Sequence, residues 1–240
     1  MKRHLALAAL ALFAYAVLWS QDPAGSMESA TTLTESSPDE ILCRKTQGQQ
    51  ALAPCERAVA ASPEDVTLRR RLAWAYQATF HVERAIAELE AVAERHPNDA
   101  KVYYDLAAIH AGQRRFARAE ESLQRALALK PDHRPSYELS ELLFELTGRD
   151  EELFDFHMSL ALKGQPEAMF DLARDFAIAR GTVRDVKRAR DWYTRAANAG
   201  HVLAMEVLAI MLEDGLFGTP PEPENAAHWR VMAQEARGLR

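Results

Sequence analysis

The chain has 240 residues, 48% hydrophobic and 27% charged, with 10 glycines, 11 prolines, 2 cysteines and a net charge of −6. The apolar share excludes wholesale disorder, and the low glycine and proline counts exclude collagen-like or low-complexity architecture. The acidic balance argues against general nucleic-acid binding, which needs a basic face to neutralise phosphates. Ala, Leu, Arg and Glu dominate and β-branched residues are few, a mixture whose side chains lose little rotamer freedom in a helix.

At the N-terminus, Lys2, Arg3 and His4 precede an unbroken apolar run over residues 5–19, and Ser20, Gln21 and Asp22 restore polarity. A basic flank followed by an apolar core of this length is the pattern of a secretory signal peptide. Cleavage falls at Ala14-Tyr15-Ala16 or after Ser20, and no cysteine follows closely enough for a lipoprotein. The alternative is retention as an N-terminal membrane anchor, for which the run falls short of the roughly 18–20 residues that span a bilayer. Residues 1–20 are read as one or the other. The body is expected to be exported, either periplasmic or inner-membrane anchored with its repeats facing the periplasm. Removing Lys2 and Arg3 from the 29 basic residues, against 35 acidic, leaves the body at −8. Residues 21–37, QDPAGSMESATTLTESS, are a flexible linker.

Ser37-Pro38-Asp39-Glu40 is a helix start, with Ser as cap, Pro at the first helical position and Glu completing a capping box. Residues 41–62 predict a short hairpin turning near Gly48. Cys43 and Cys55 lie nearly symmetrically about that turn, where antiparallel helices bring equidistant residues together. In an exported chain this pair predicts a disulfide stapling the terminal hairpin. A metal site is disfavoured, because no histidine lies close in sequence and the spacing is wrong.

Pro63, Pro97 and Pro131 then recur every 34 residues, and 66–99 aligns with 100–133 without a gap. Leu72 matches Leu106, Ala73 matches Ala107, Ala85 matches Ala119, Leu89 matches Leu123 and Tyr76 matches His110. Small residues at these alanines let paired helices approach closely, and each proline ends a second helix. Residues 134–163 keep a hairpin pattern turning at Thr147-Gly148. A second period opens at Gly164 and Gly200, with Ala168, Leu172 and Ala173 matching Ala204, Leu208 and Ala209.

Residues 66–133 resemble the tetratricopeptide repeat family. Two departures are Arg69 in place of the usual aromatic and alanine where the first-helix glycine is common. The segment GTVRDVKRARDWYTRAANAG, residues 181–200, resembles the Sel1-like repeat, a longer-looped relative. The resemblance implies an all-α fold, a right-handed α-solenoid of about six antiparallel helix pairs. It comprises tetratricopeptide-like hairpins over 38–163 (clear repeats 66–99 and 100–133) and two Sel1-like repeats over 164–238.

No catalytic signature accompanies the repeats. The eight histidines are scattered, and phosphate loop, dinucleotide-type glycine motif and nucleophile elbow are all lacking. The sequence therefore calls for no catalytic residue, metal or cofactor. Asp and Glu read as solvated helix faces, His110 as a core residue in an aromatic position, and Trp192, Tyr193 and Trp229 as core. Glu138, Glu141, Glu145, Asp150, Glu151 and Glu152 form an acidic stretch that is a soluble surface or a second partner-facing patch.

By the resemblance, the concave groove is lined by Arg70, Trp74 and Gln77 of one repeat and Lys101, Tyr104 and Ala108 of the next. Aromatic and arginine residues supply most interface hot spots, although Trp74 packing against the adjacent helix is the competing reading. Asn residues needed for a chaperone-tail carboxylate clamp are missing. The function implied is a non-enzymatic scaffold of the bacterial cell envelope that binds a peptide or protein in its groove and assists assembly of an envelope complex. The alternatives are a cell-wall glycan-associated accessory protein or enzyme, marked by carboxylates converging on a pocket, and a secreted host-interaction factor.

Overall fold

The computed structural model describes residues 36–216 and 220–238. The signal or anchor reading of 1–20 and nearly all of the linker lie outside the described residues. Among those residues there are helices and no strands: α1 (Pro38–Lys45), α2 (Gln49–Ala61), α3 (Val66–Ala78), α4 (Val82–Arg95), α5 (Ala100–Gly112) and α6 (Phe116–Leu129). They continue with α7 (Arg134–Thr147), α8 (Asp150–Leu162), α9 (Pro166–Ile178), α10 (Val186–Asn198), α11 (Val202–Asp214) and α12 (Pro223–Gly238). Consecutive helices pack as pairs, the antiparallel hairpin solenoid class implied by the sequence. The chain divides into two compact units, one ending at Leu143 and one beginning at Phe144.

In the first unit the 34-residue repeat sets the local chemistry of each turn. Asp65 caps α3 by accepting from the Leu68 N–H at 3.0 Å, and Asp99 caps α5 by accepting from the Lys101 N–H at 2.9 Å. At the next equivalent position His133 replaces the aspartate, and its Nδ1 meets Ser136 Oγ at 2.7 Å. Within each hairpin the first helix ends in a Schellman turn, in which a backbone N–H reaches back five residues (His81 to the Tyr76 carbonyl, Arg115 to the His110 carbonyl). That turn needs one left-handed residue. The positions are Phe80, Arg114 and, 34 residues on, Gly148, with φ of 64°, 58° and 67°.

The alanines expected at close helix crossings are sealed: Ala73, Ala85, Ala107 and Ala119 are completely buried. Around them Leu89, Val92, Val102, Leu106 and Ile109 form one cluster, and Leu123, Leu139 and Leu143 another. Arg69, the departure from the aromatic pattern, is half-buried and pairs with Glu88, joining α3 to α4. The array's first hairpin is built as predicted. Ser37 Oγ accepts from the Glu40 N–H at 3.2 Å, and Gly48 turns the chain with φ 61°. Cys43 and Cys55, both fully buried, are joined as a disulfide with Cα atoms 4.7 Å apart. Arg71 of α3 donates from Nε to the Cys43 carbonyl at 2.8 Å and also to the Arg44 carbonyl, satisfying the end of α1.

The second unit repeats at 36 residues. Gly164 and Gly200 have φ of 90° and 91°, and the left-handed caps Ala179 and Gly215 have φ of 64° and 63°. Gly181 is fixed by close approach: a Cβ there would lie 2.1 Å from the Asp150 carbonyl oxygen and 2.8 Å from Phe154 Cβ. Tyr193 is buried as expected, whereas Trp192 and Trp229 are half-buried. The Arg195 guanidinium covers the Trp192 ring at 4.5 Å, so a stacked cation replaces core contacts there.

Candidate binding face

The expected groove residues form two helical stripes in the first unit: Arg70, Trp74 and Gln77 on α3, and Lys101, Tyr104 and Ala108 on α5. The stripes are tied together by an aspartate that the sequence pattern predicts to lie on a solvated face. Asp105, 2% exposed, accepts from Arg70 Nε at 2.5 Å, and the Trp74 side chain donates to the same carboxylate. Burial raises the Asp105 carboxyl above its ordinary range despite Arg70 and Trp74, which pull it down. Arg70 and Trp74 thus join the first helices of successive repeats. This links the two readings of Trp74, because the indole occupies the face by bonding to the neighbouring helix.

Lys101 is exposed, while Gln77, Tyr104 and Ala108 are half-buried. The Tyr104 ring meets the His133 ring edge-on at 5.5 Å between centroids. Burial first, then the negative charges of Asp105 and Glu138, push the Tyr104 phenol upward, so it stays protonated as a donor. His133 is buried, and burial, reinforced by Lys130, Lys101 and Arg70, holds its imidazole below the usual range. The face therefore offers cationic Lys101, a neutral phenol donor, the Gln77 amide and the small Ala108. It can take up an extended chain by hydrogen bonds and one charge contact.

Two more carboxylates read as solvated are buried, both on α9. Asp175 is fully buried, with His157 Nδ1 at 2.5 Å from one oxygen and Arg180 Nε at 2.8 Å from the other. Arg180 also reaches Glu145 at 2.9 Å. Asp171, 6% exposed, pairs with Arg174 at 2.8 Å. The acidic stretch is likewise partnered in part: Glu138 accepts from Arg134 Nε at 2.6 Å, and Asp150, Glu151 and Glu152 occupy the first turn of α8, where the helix dipole favours negative charge. Two surface depressions, lined by residues 95–99 and by Gln49, Leu52, Ala78, Thr79, Phe80 and His81, contain none of the buried aspartates.

The tetratricopeptide repeat family matches residues 44–109 and 80–143, and the Sel1 repeat family matches 166–201 and 202–229. Together the matched segments cover more than half of the chain. The chain is a tetratricopeptide and Sel1 repeat protein. Among solved structures, a Sel1 repeat protein from Oxalobacter formigenes is similar at 26% identity and a TM-score of 0.51, over 78% of this chain and 77% of that one. A second, c5321, a protective antigen present in uropathogenic Escherichia coli strains and displaying an SLR fold, is similar at 18% identity and a TM-score of 0.52. That likeness, over 78% of this chain and 41% of that one, shows the fold alone. No curated protein is significantly similar in sequence. Tetratricopeptide–Sel1 proteins commonly mediate protein–protein interaction, and such repeat scaffolds are typically non-catalytic. No helix among the described residues is long and apolar enough to cross a membrane.

Proposed function

We propose that this tetratricopeptide–Sel1 protein is a non-enzymatic scaffold of the bacterial cell envelope whose α3–α5 face docks a peptide or protein segment and assists assembly of an envelope complex. The observation that carries the reading is the Arg70–Asp105–Trp74 tie. It fixes two first helices against each other, and a fixed face loses less conformational entropy on binding than a mobile one. Gln77, Lys101, Tyr104 and Ala108 are the residues that meet the partner. The buried carboxylates Asp105, Asp171 and Asp175 are each paired with an arginine, an arrangement that supports a structural over a glycan-cleaving role for them. The basic flank and apolar run of residues 1–19, with the Cys43–Cys55 disulfide, support export to an oxidising compartment.

Substitution of Arg70 by glutamate would set two carboxylates against each other, so it tests folding as well as binding. Lys101→Glu with Ala108→Arg is cleaner, because Lys101 is exposed and Ala108 is not fully enclosed. Tagged full-length protein captured from the native envelope should recover a partner that the double variant loses, with helical content unchanged. Equal recovery by the variant would place the interface elsewhere.

A further inference from the structure

Phe80 is 86% exposed at the left-handed position of the α3–α4 turn, where the equivalent residue two repeats later is glycine. The turn is held by backbone bonds from the Phe80 N–H to the Gln77 carbonyl at 3.1 Å and from the His81 N–H to the Tyr76 carbonyl at 2.8 Å. A left-handed conformation is costly for a residue with a Cβ, and an aromatic ring in water adds no packing. The side chain thus meets no need of the fold.

Its surroundings are basic. The depression beside Phe80 is completed by Gln49 and Leu52, which brings the α1–α2 turn to the same edge. On the other side, Arg115 of the α5–α6 turn pairs with Glu83 of the first turn of α4 at 2.5 Å. Residues 45–49, 77–84 and 112–118 carry Lys45, Arg84, Arg114, Arg115 and Arg118, in a chain whose net charge is −6; Arg115 is paired to Glu83 and Arg118 to Glu121 at 3.7 Å, so the edge keeps an excess of cations. Arg114 is the left-handed residue of its own turn and is exposed.

We propose that this turn edge is a membrane-contacting surface that sits on anionic phospholipid, with the Phe80 ring inserted below the headgroups and the arginines paired with lipid phosphates. Charge complementarity selects the occupant. A projecting ring beside a shallow depression suits a surface that is apolar beneath a negative layer, whereas a protein partner would have to supply a cavity of its own. Each basic side chain near such a surface adds about fivefold to partitioning, so the contact is weak singly and substantial together. The surface adjoins the α3–α5 face at Gln77 but is carried by Phe80, Arg114 and Arg118, none of which belongs to that face, so its failure would leave the scaffold reading untouched.

Hydrogen exchange of the full-length protein on vesicles tests this edge. Because residues 5–19 are apolar, the readout is local protection rather than bulk binding. Amides in 79–84 and 113–118 should exchange several-fold more slowly on phosphatidylglycerol-containing vesicles than on phosphatidylcholine alone. Phe80→Gly, which suits the turn's backbone, and Arg114→Gly with Arg118→Gln should each abolish the difference without lowering the thermal unfolding midpoint. No protection at these turns, equal protection on both vesicle types, or protection only on adding an acidic envelope protein would overturn the proposal.

Discussion

Reduction of the Cys43–Cys55 bridge should loosen the first hairpin and leave the rest of the array folded. The cysteines are 12 apart in sequence, so the loop released into the unfolded ensemble is short. Chain entropy for such a loop gives about 3 kcal/mol of lost stability, roughly a hundredfold in the opening equilibrium of the hairpin. What remains to hold α1 is slight. Arg57–Asp39 at 2.7 Å and Arg44–Asp65 at 2.9 Å are surface pairs screened by solvent, so they contribute little. The Arg71 bonds to the α1 carbonyls anchor one end only. Because a repeat array is stabilised by nearest-neighbour contacts, the loss should stay in 38–61. Hydrogen exchange on reduced protein, or on Cys43→Ala with Cys55→Ala, should therefore show about a hundredfold faster opening in α1 and α2 and little change from α5 onward. Unchanged exchange in 38–61, or a uniform loss across all helices, would mean that the bridge does not hold the first hairpin on its own.

Three other outcomes follow from the same geometry. Gly181→Ala should lower stability by about 2–4 kcal/mol in urea denaturation, because its Cβ would meet the Asp150 carbonyl and φ is 63°. Arg70→Glu should cost about 3 kcal/mol or more by leaving Asp105 buried beside a second carboxylate, and Arg70→Met less, read as urea midpoints. The contribution of His110 and His133 to the stability of the first unit should fall as pH drops below about 6.5, and the raised Asp105 carboxyl opposes it, so the slope is read as the difference between the parent and its histidine variants. Burial, with Arg115 and Arg118 outweighing Glu83 and Glu90, lowers the folded His110 imidazole, and burial with nearby cations lowers His133. The unfolded chain therefore binds protons first, so stability present above the unfolded value is lost as pH falls through the folded one. His110→Phe should flatten part of this slope and raise the midpoint, since His110 Nδ1 is buried without a hydrogen-bond partner.

Much of the fold was legible because its signals are local. The Ser37 cap, the Gly48 turn, the alanine crossings and the facing cysteines each depend on spacing along one or two helices. What stayed hidden lies between repeats. Asp105 read as solvated because an isolated aspartate on a helix usually is. However, α5 buries residues on nearly every side, from Val102 to Ala111, and leaves that carboxylate no route to water. A repeat of 34 places Arg70 beside 104 and 105, so the tie could have been inferred from the period and a carboxylate inside an apolar helix. Asp175 was harder, because its partners His157 and Arg180 come from outside its own helix and follow no repeat. The exposure of Phe80 also has no sequence signal, since a phenylalanine near a helix end ordinarily reads as core.

In the proposed scaffold the α3–α5 face, held by Asp105, receives a protein segment. A photo-crosslinking amino acid placed at residue 108 in the full-length protein, expressed in its native envelope, tests it directly. Position 108 should give a discrete crosslinked partner that is lost with Lys101→Glu, and position 124, on the exposed side of α6, should give no such product. Crosslinks from 124 alone, or from 108 with no dependence on Lys101, would contradict it.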